Sequence, residues 1–160
     1  MISKDLNGKE YEITAKDLAW RPSAYGIVLR DDKILLVRES DRFHLPGGGV
    51  DLGEDPKAAV IREVREETGV TTKSPRLIDA ASSFFTFGAR DNPPKLQHVQ
   101  SLLLYYVCEY VRVNPHDVHL DKDEKIYGLT ADWVELSELA DITVGTTVDW
   151  RPIISKALKP

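Results

Sequence analysis

The sequence predicts an α/β domain built on a mixed sheet, and three observations carry that prediction. β-prone apolar runs of strand length recur along most of the chain. One well-capped amphipathic helix interrupts them at residues 56–68, and a second run with helical spacing follows the last of them. With 160 residues, 42% apolar and 29% charged, the chain is long enough to bury a core without covalent staples, and it is expected to form one domain over residues 1–160.

The elements follow in chain order. "YEI" at residues 11–13 reads as a short strand, and "SAYGIVLR" and "KILLVRES" around Asp31 and Asp32 read as a hairpin. "FHLPGGGVDLGE" reads as a loop, because Pro46 and the glycines at 47, 48, 49 and 53 break regular structure and let backbone approach a ligand. Asp55 can cap free helix amides and Pro56 suits the first helical position, so a helix should run to Thr68 and end at Gly69. Strands are expected near residues 76–87 and 99–111, joined by the polar linker "GARDNPPKLQ", with a shorter one at 131–134. Ser137 and Glu138 should open a helical turn, and Trp150, Ile153, Ile154, Ala157 and Leu158 give residues 149–158 the spacing of a helix packed on the sheet.

Composition excludes several classes of function. A net charge of -5 with no lysine or arginine block argues against nucleic-acid binding, so a polyanionic substrate would have to arrive with cations. No apolar run reaches membrane-spanning length, and "MISKDLNGKEYE" lacks the apolar centre of a signal peptide; a cytoplasmic location without membrane attachment is expected. The one cysteine, Cys108, lies in the apolar run "LLLYYVCEYV" and is expected to be a buried, inert thiol.

The chemistry concentrates in "REVREETGV", residues 62–70. On a helical wheel Glu63, Glu66 and Glu67 share a narrow arc, while Ala58, Ile61, Val64 and Thr68 share another that should face the core. Like charges three and four apart repel, and Arg62 offsets only part of that repulsion. A solvated acidic face is the ordinary explanation of such a helix. The glycine-rich approach just before it adds a second one: Mg²⁺ and similar hard cations take carboxylate oxygens, and a bound dication removes the repulsion.

Residues 48–70, "GGVDLGEDPKAAVIREVREETGV", carry every fixed position of the Nudix box, Gx5Ex7REUxEExGU with U aliphatic: Gly48, Glu54, Arg62, Glu63, Val64, Glu66, Glu67, Gly69 and Val70. The chain therefore resembles the Nudix hydrolase family, MutT-like proteins included, and "LPGGG" and "DWVELSEL" resemble that family's flanking segments. The resemblance implies an α/β/α sandwich with a central mixed sheet. It further implies hydrolysis of a nucleoside diphosphate linked to another moiety X, dependent on Mg²⁺ or Mn²⁺, by attack of metal-bound water on phosphorus. Carried over position by position, Glu63 and Glu67 are the main metal ligands, Glu66 a further or water-bridged one and the Gly47 carbonyl an additional oxygen; Arg62 orients the glutamates. The general base is left open among Glu63, Glu66 and a glutamate of a later loop, where "LDKDEKIYG" offers Glu124 beside Asp121 and Asp123, unless that stretch is simply a solvated acidic loop. The rival reading is a catalytically silent nucleotide-sensing module of the same fold.

Substrate choice is less legible. Phe84, Phe85 and Phe87 can form a base-stacking wall or a piece of core, and "GARDNPPK" can carry Arg90 and Lys95 to phosphates. Arg21, Tyr25, Arg38 and His44 lie near the expected pocket mouth, with structural roles equally open to them. The expected partner is a small nucleotide-diphosphate molecule, with a modified nucleoside triphosphate, a nucleotide sugar and ADP-ribose as candidates; the protein itself is expected to be a monomer or homodimer.

Overall fold

A computed structural model describes residues 1–5, 8–89 and 95–158. Strands β1 (Ile2–Lys4) and β2 (Glu10–Glu12) form an antiparallel pair, and β3 (Leu18–Arg30) and β4 (Lys33–Glu39) make the expected hairpin. Asp31 and Asp32 both adopt positive φ, 50° and 60°, the backbone twist that a two-residue hairpin turn requires. The stretch expected to be a loop instead contributes two short strands, β5 (Arg42–His44) and β6 (Gly47–Gly49). Free backbone groups next to a sheet edge are satisfied by pairing, and β5 pairs with β4 while β6 pairs with β3.

Helix α1 (Pro56–Thr68) has the predicted bounds, with the Asp55 carboxylate accepting from the Lys57 amide at 2.7 Å. Gly69 ends it at φ 70°, and its N–H donates to the Arg65 carbonyl at 2.8 Å. Strands β7 (Val70–Ala89) and β8 (Lys95–Val113) are longer than the sequence suggests and pair antiparallel along their lengths. Register shifts between Thr71 and Thr72, between Lys73 and Arg76, and between Leu77 and Asp79 accommodate the polar start of β7. A short helix α2 (Lys122–Tyr127), β9 (Thr130–Glu135), β10 (Thr143–Val144) and α3 (Arg151–Ala157) follow, and short 3-10 helices lie at Ala15–Asp17, Pro115–Asp117 and Leu136–Glu138, the last at the expected helical turn.

The sheet is mixed, in the order β10-β5-β4-β3-β8-β7-β1-β2, with β6 added to β3 and β9 to β4. It carries helices on both faces, the predicted α/β/α arrangement. Alternation along the strands divides the core. Ala24, Val28, Leu35, Tyr106 and Cys108 turn to α1 and meet Ala59, Val60 and Val64. Ile27, Ile34, Leu36, Leu103 and Tyr105 turn the other way and meet Trp150, Ile153 and Ile154 of the α3 segment. Burial pushes the Cys108 thiol up to about 12, so it is a packing group and not a nucleophile. Among the described residues no helix is long and apolar enough to cross a membrane.

One departure from a continuous sheet matters for the site. β3 pairs with β4 only at Leu29–Ile34 and Arg30–Lys33, then turns away to run parallel with β8 from Leu18 to Val28. The two halves of the sheet part beyond the hairpin, and residues 46–50 line the β3 side of the gap, through β6 and through the Gly26 amide donating to the Pro46 carbonyl.

Candidate metal centre and substrate cleft

Helix α1 sits on the sheet with Val60 and Val64 fully buried, each worth roughly 1.5–3 kcal/mol of apolar burial. That seating differs from the helical-wheel expectation. Ala58 is exposed and Glu67 is buried, so the glutamates do not project together into solvent. The helix is rotated because Ala59 and Val60 supply more core contact than Ala58, and Glu67 is carried to the rim of the buried arc. Its carboxylate is not left bare: the Gly47 amide of β6 donates to Glu67 Oε2 at 2.8 Å.

Glu63 lies one turn earlier, against the same glycine strand. A side chain at Gly48 would put its Cβ 2.8 Å from the Glu63 carboxyl carbon, so only a glycine lets the carboxylate lie there. Arg62 then fixes the surroundings. Its guanidinium grips Glu54 through two 2.8 Å bonds, donates to Glu63 Oε1 at 2.7 Å and to the Gly49 carbonyl at 3.2 Å, and reaches Glu66 Oε2 at 3.3 Å. The bidentate grip on Glu54 is the strongest cause holding Arg62 charged, and the same contact lowers the Glu54 pKa.

The third carboxylate comes from far along the chain. The His119 amide donates to the Glu66 carbonyl at 2.8 Å, which ties the segment before α2 to α1. Asp121 and Glu124 then form a reciprocal box, Asp121 N–H to Glu124 Oε2 at 2.6 Å and Glu124 N–H to Asp121 Oδ1 at 2.8 Å. As a result Glu63, Glu67 and Glu124 each bring one oxygen into a group lying within 4.8 Å of one another. Desolvation is the main cause raising the pKa of both Glu63 and Glu67; Arg62 and the Gly47 amide respectively oppose it, and charge repulsion within the trio adds to it. Three crowded, partly desolvated carboxylates make a candidate dication site, and an all-oxygen donor set is the kind that suits a hard ion.

Other predicted residues are placed as follows. Glu66 stands outside the trio, between Arg62 and Arg65, whose Nη2 is 3.8 Å from Glu66 Oε1. Arg38 is paired with Asp132 at 2.8 Å on the β4–β9 face. Phe85 and Phe87 stack with centroids 5.8 Å apart, while Phe84 falls on the opposite face of β7. Arg90 and the side chains of Lys95 and Asp123 lie outside the described residues.

Two cavities of about 220 Å³ each share Tyr25 and Thr146: one lies between the β3, β8 and β7 strands and residues 145–148, the other in the gap between β3 and β4. One is largely apolar, walled by Tyr25, Phe85, Leu103 and Tyr105 with Arg21 at its mouth and the Ser83–Thr147 hydroxyl pair, 2.6 Å apart, in its lining. The other lies against the carboxylates and is lined by Glu67, Glu124, Gly47, Glu39, His44 and Leu129 among others. Tyr105, Glu39 and Thr146 carry no local sequence signal: each is one residue of an ordinary strand or loop, and only the packing of distant strands places it in the cleft.

The NUDIX domain family pattern matches residues 20–153. Over 63 residues the chain is 43% identical to an ADP-ribose pyrophosphatase of Methanocaldococcus jannaschii, a match covering 36% of this chain and 37% of that protein. Over 52 residues it is 48% identical to diphosphoinositol polyphosphate phosphohydrolase 3-alpha of Mus musculus, covering 31% of this chain and 32% of that one. The chain thus spans about a third of the length of the curated relatives it matches. Among solved structures, a NUDIX hydrolase from Nitrosomonas europaea aligns with TM-score 0.62 and 22% identity over 87% of this chain and 88% of that one. A UDP-X diphosphatase aligns with TM-score 0.58 and 20% identity over 86% and 61%. At these identities the structural matches establish a shared fold.

Proposed function

The chain belongs to the Nudix family, and on that premise we propose that it is a divalent-metal-dependent pyrophosphohydrolase, working as one domain over residues 1–160 on a nucleoside diphosphate linked to a group X. The observation that carries this reading is the convergence of Glu63, Glu67 and Glu124. Glu63 and Glu67 would hold Mg²⁺ or Mn²⁺ with Glu124 opposite them, and Glu66 and the Gly47 carbonyl are the further oxygens that the family resemblance assigns. Such an ion neutralises diphosphate oxygens and makes phosphorus open to attack.

The chain's own groups do the rest. Arg62 holds Glu63 in place, and the Gly47 amide holds Glu67. Glu124 faces the α1 pair from a separate element, so a water lodged between them has a carboxylate positioned to take its proton. The water oxygen bonds to phosphorus, the bridging P–O bond breaks and its electron pair leaves with the bridging oxygen. The products are a nucleoside monophosphate and X-phosphate. The aromatic cavity suits the base, stacked among Tyr25, Phe85 and Tyr105, with Arg21 at the entrance. The partner proposed is a small nucleotide, and the proposed location, a reducing cytoplasm, agrees with the free, buried thiol at Cys108.

The test is turnover of nucleoside triphosphates, dinucleotides, nucleotide sugars and ADP-ribose by the purified chain, with Mg²⁺ or Mn²⁺ and again with a chelator. Metal-dependent release of a nucleoside monophosphate is expected. If no nucleotide is hydrolysed under any metal, the fold serves as a nucleotide sensor instead.

A further inference from the structure

Resting on that hydrolase reading, we propose that Arg21 grips the phosphate on the nucleoside side of the scissile bond, so that the nucleoside monophosphate stays held by it after cleavage.

The first observation is position. Arg21 lies where β3 runs beside β8, at the mouth of the aromatic cavity. Its guanidinium rests on β6: a Cβ added to Gly49 would come 3.3 Å from Nε and 3.4 Å from Nη2. The residue before mirrors this, because a Cβ at Gly48 would meet the Glu63 carboxylate. Successive strand residues face opposite ways, so the cation and the carboxylate lie against the two sides of one bare glycine strand. The Gly49 carbonyl accepts from Arg62, which also holds Glu63. Tyr25 marks the passage between the two sides. It lines both cavities and pairs with Gly47 of β6, and its phenol is within electrostatic reach of Arg21, Glu67 and Glu63.

The second observation is charge. Among the described residues Arg21 has no carboxylate partner, unlike Arg30, Arg38, Arg62 and Arg151. It is also the one lysine or arginine in the described lining of either cavity. A dication brings two positive charges to a trio that carries three negative ones when ionised, so metal and ligands together leave a diphosphate uncompensated. Arg62 is already engaged by Glu54 through two 2.8 Å bonds. An arginine fork matches phosphate oxygens in both charge and shape, and an exposed guanidinium lying over glycines keeps its donors accessible.

The third is direction. Arg21 lines the aromatic cavity and is absent from the lining of the polar one, where Glu67 and Glu124 stand. A base stacked among Phe85 and Tyr105 sets its ribose and first phosphate beside Arg21, and the diphosphate continues past Tyr25 to the carboxylates. Cleavage leaves the gripped phosphate on the nucleoside. The monophosphate product therefore competes with substrate through Arg21, and the bare nucleoside does not.

The experiment has two arms, both on the full chain with Mg²⁺. Titration calorimetry compares AMP, GMP, UMP and CMP with their nucleosides. At least one monophosphate is expected to bind tenfold or more tighter than its nucleoside. R21A should lower that affinity tenfold or more while leaving the nucleoside's unchanged, and R21K should restore part of it. Steady-state turnover of ADP-ribose and the four nucleoside triphosphates is the second arm, in which R21A should raise KM tenfold or more with a smaller change in kcat. R76A removes another exposed arginine, outside both cavities, and should move neither readout. A monophosphate affinity and KM unmoved by R21A, or a loss equal for monophosphate and nucleoside, overturns the assignment while leaving the hydrolase standing. Absence of turnover on every compound under every metal removes the hydrolase premise and this assignment with it.

Discussion

At the scale of single residues, Glu67 is the most consequential side chain. It is a carboxylate buried against the Gly47 amide, and desolvation pushes its pKa well above the ordinary carboxylate value. The sign of the resulting linkage is definite. A folded-state pKa above the unfolded one means that the folded protein binds this proton more tightly, so the contribution to stability is complete below the unfolded value and is lost as pH rises through the folded one. Metal-free protein should therefore lose stability as pH climbs from the usual carboxylate range towards its raised folded value. Glu67→Gln removes that proton and should flatten the pH dependence of urea denaturation in chelator; a slope equal to the parent's would refute the assignment. With Mg²⁺ present the same variant should lose turnover by about a hundredfold or more, since a ligand matters at least as much as the groups that orient one. The carboxylates of α1 were legible in the sequence because their spacing is local. Their individual burial was not: Glu63, Glu66 and Glu67 look equivalent on a wheel, yet one is buried, one half-buried beside it and one tied to arginines.

At the scale of elements, α1 and its flanking glycines form one device. Gly69 lets the chain leave the helix at φ 70°, where a Cβ would also come 2.6 Å from the Asn114 carbonyl oxygen. Gly69→Ala is expected to destabilise the fold by about 1–2 kcal/mol or more in chemical denaturation, from the left-handed backbone alone. Gly48→Ala should act differently, displacing the Glu63 carboxylate and weakening Mn²⁺ binding, as read by electron paramagnetic resonance, by about tenfold or more. If Mn²⁺ affinity is unchanged while the fold is intact, Glu63 is not held as a ligand. Helix α1 was legible end to end because Asp55, Pro56 and Gly69 are strong local signals. Helix α2 was not, since Lys122–Tyr127 is less than two turns and its box of Asp121 and Glu124 also reads as an acidic loop. The early start of β7 at Val70 was missed for a related reason: "TTKSPR" has no alternation, and its pairing is supplied by β8.

At the scale of the molecule, the cleft exists because β3 changes partners, and a dication bound there should clamp α1 to the segment carrying α2. Saturating Mg²⁺ or Mn²⁺ should accordingly raise the melting temperature, by about 2.7 kcal/mol of added stability at a hundred times Kd, and a chelator should reverse it. Calorimetry checks this, and an equal shift in a variant lacking both Glu63 and Glu67 carboxylates would place the ion elsewhere. Trp150→Ala should cost about 3–5 kcal/mol, because its fully buried ring joins the α3 segment to the sheet face opposite α1. By itself the sequence determined the class of fold, the bounds of α1, the family and the identity of the α1 carboxylates, all of which rest on spacings of a few residues. Tertiary structure alone decided that Glu124 joins Glu63 and Glu67, that Glu39 stands beside His44, and that an aromatic cavity opens next to a polar one. Those meetings bring together residues far apart in the chain, through strand register and the splay between β3 and β4, and no local periodicity encodes either.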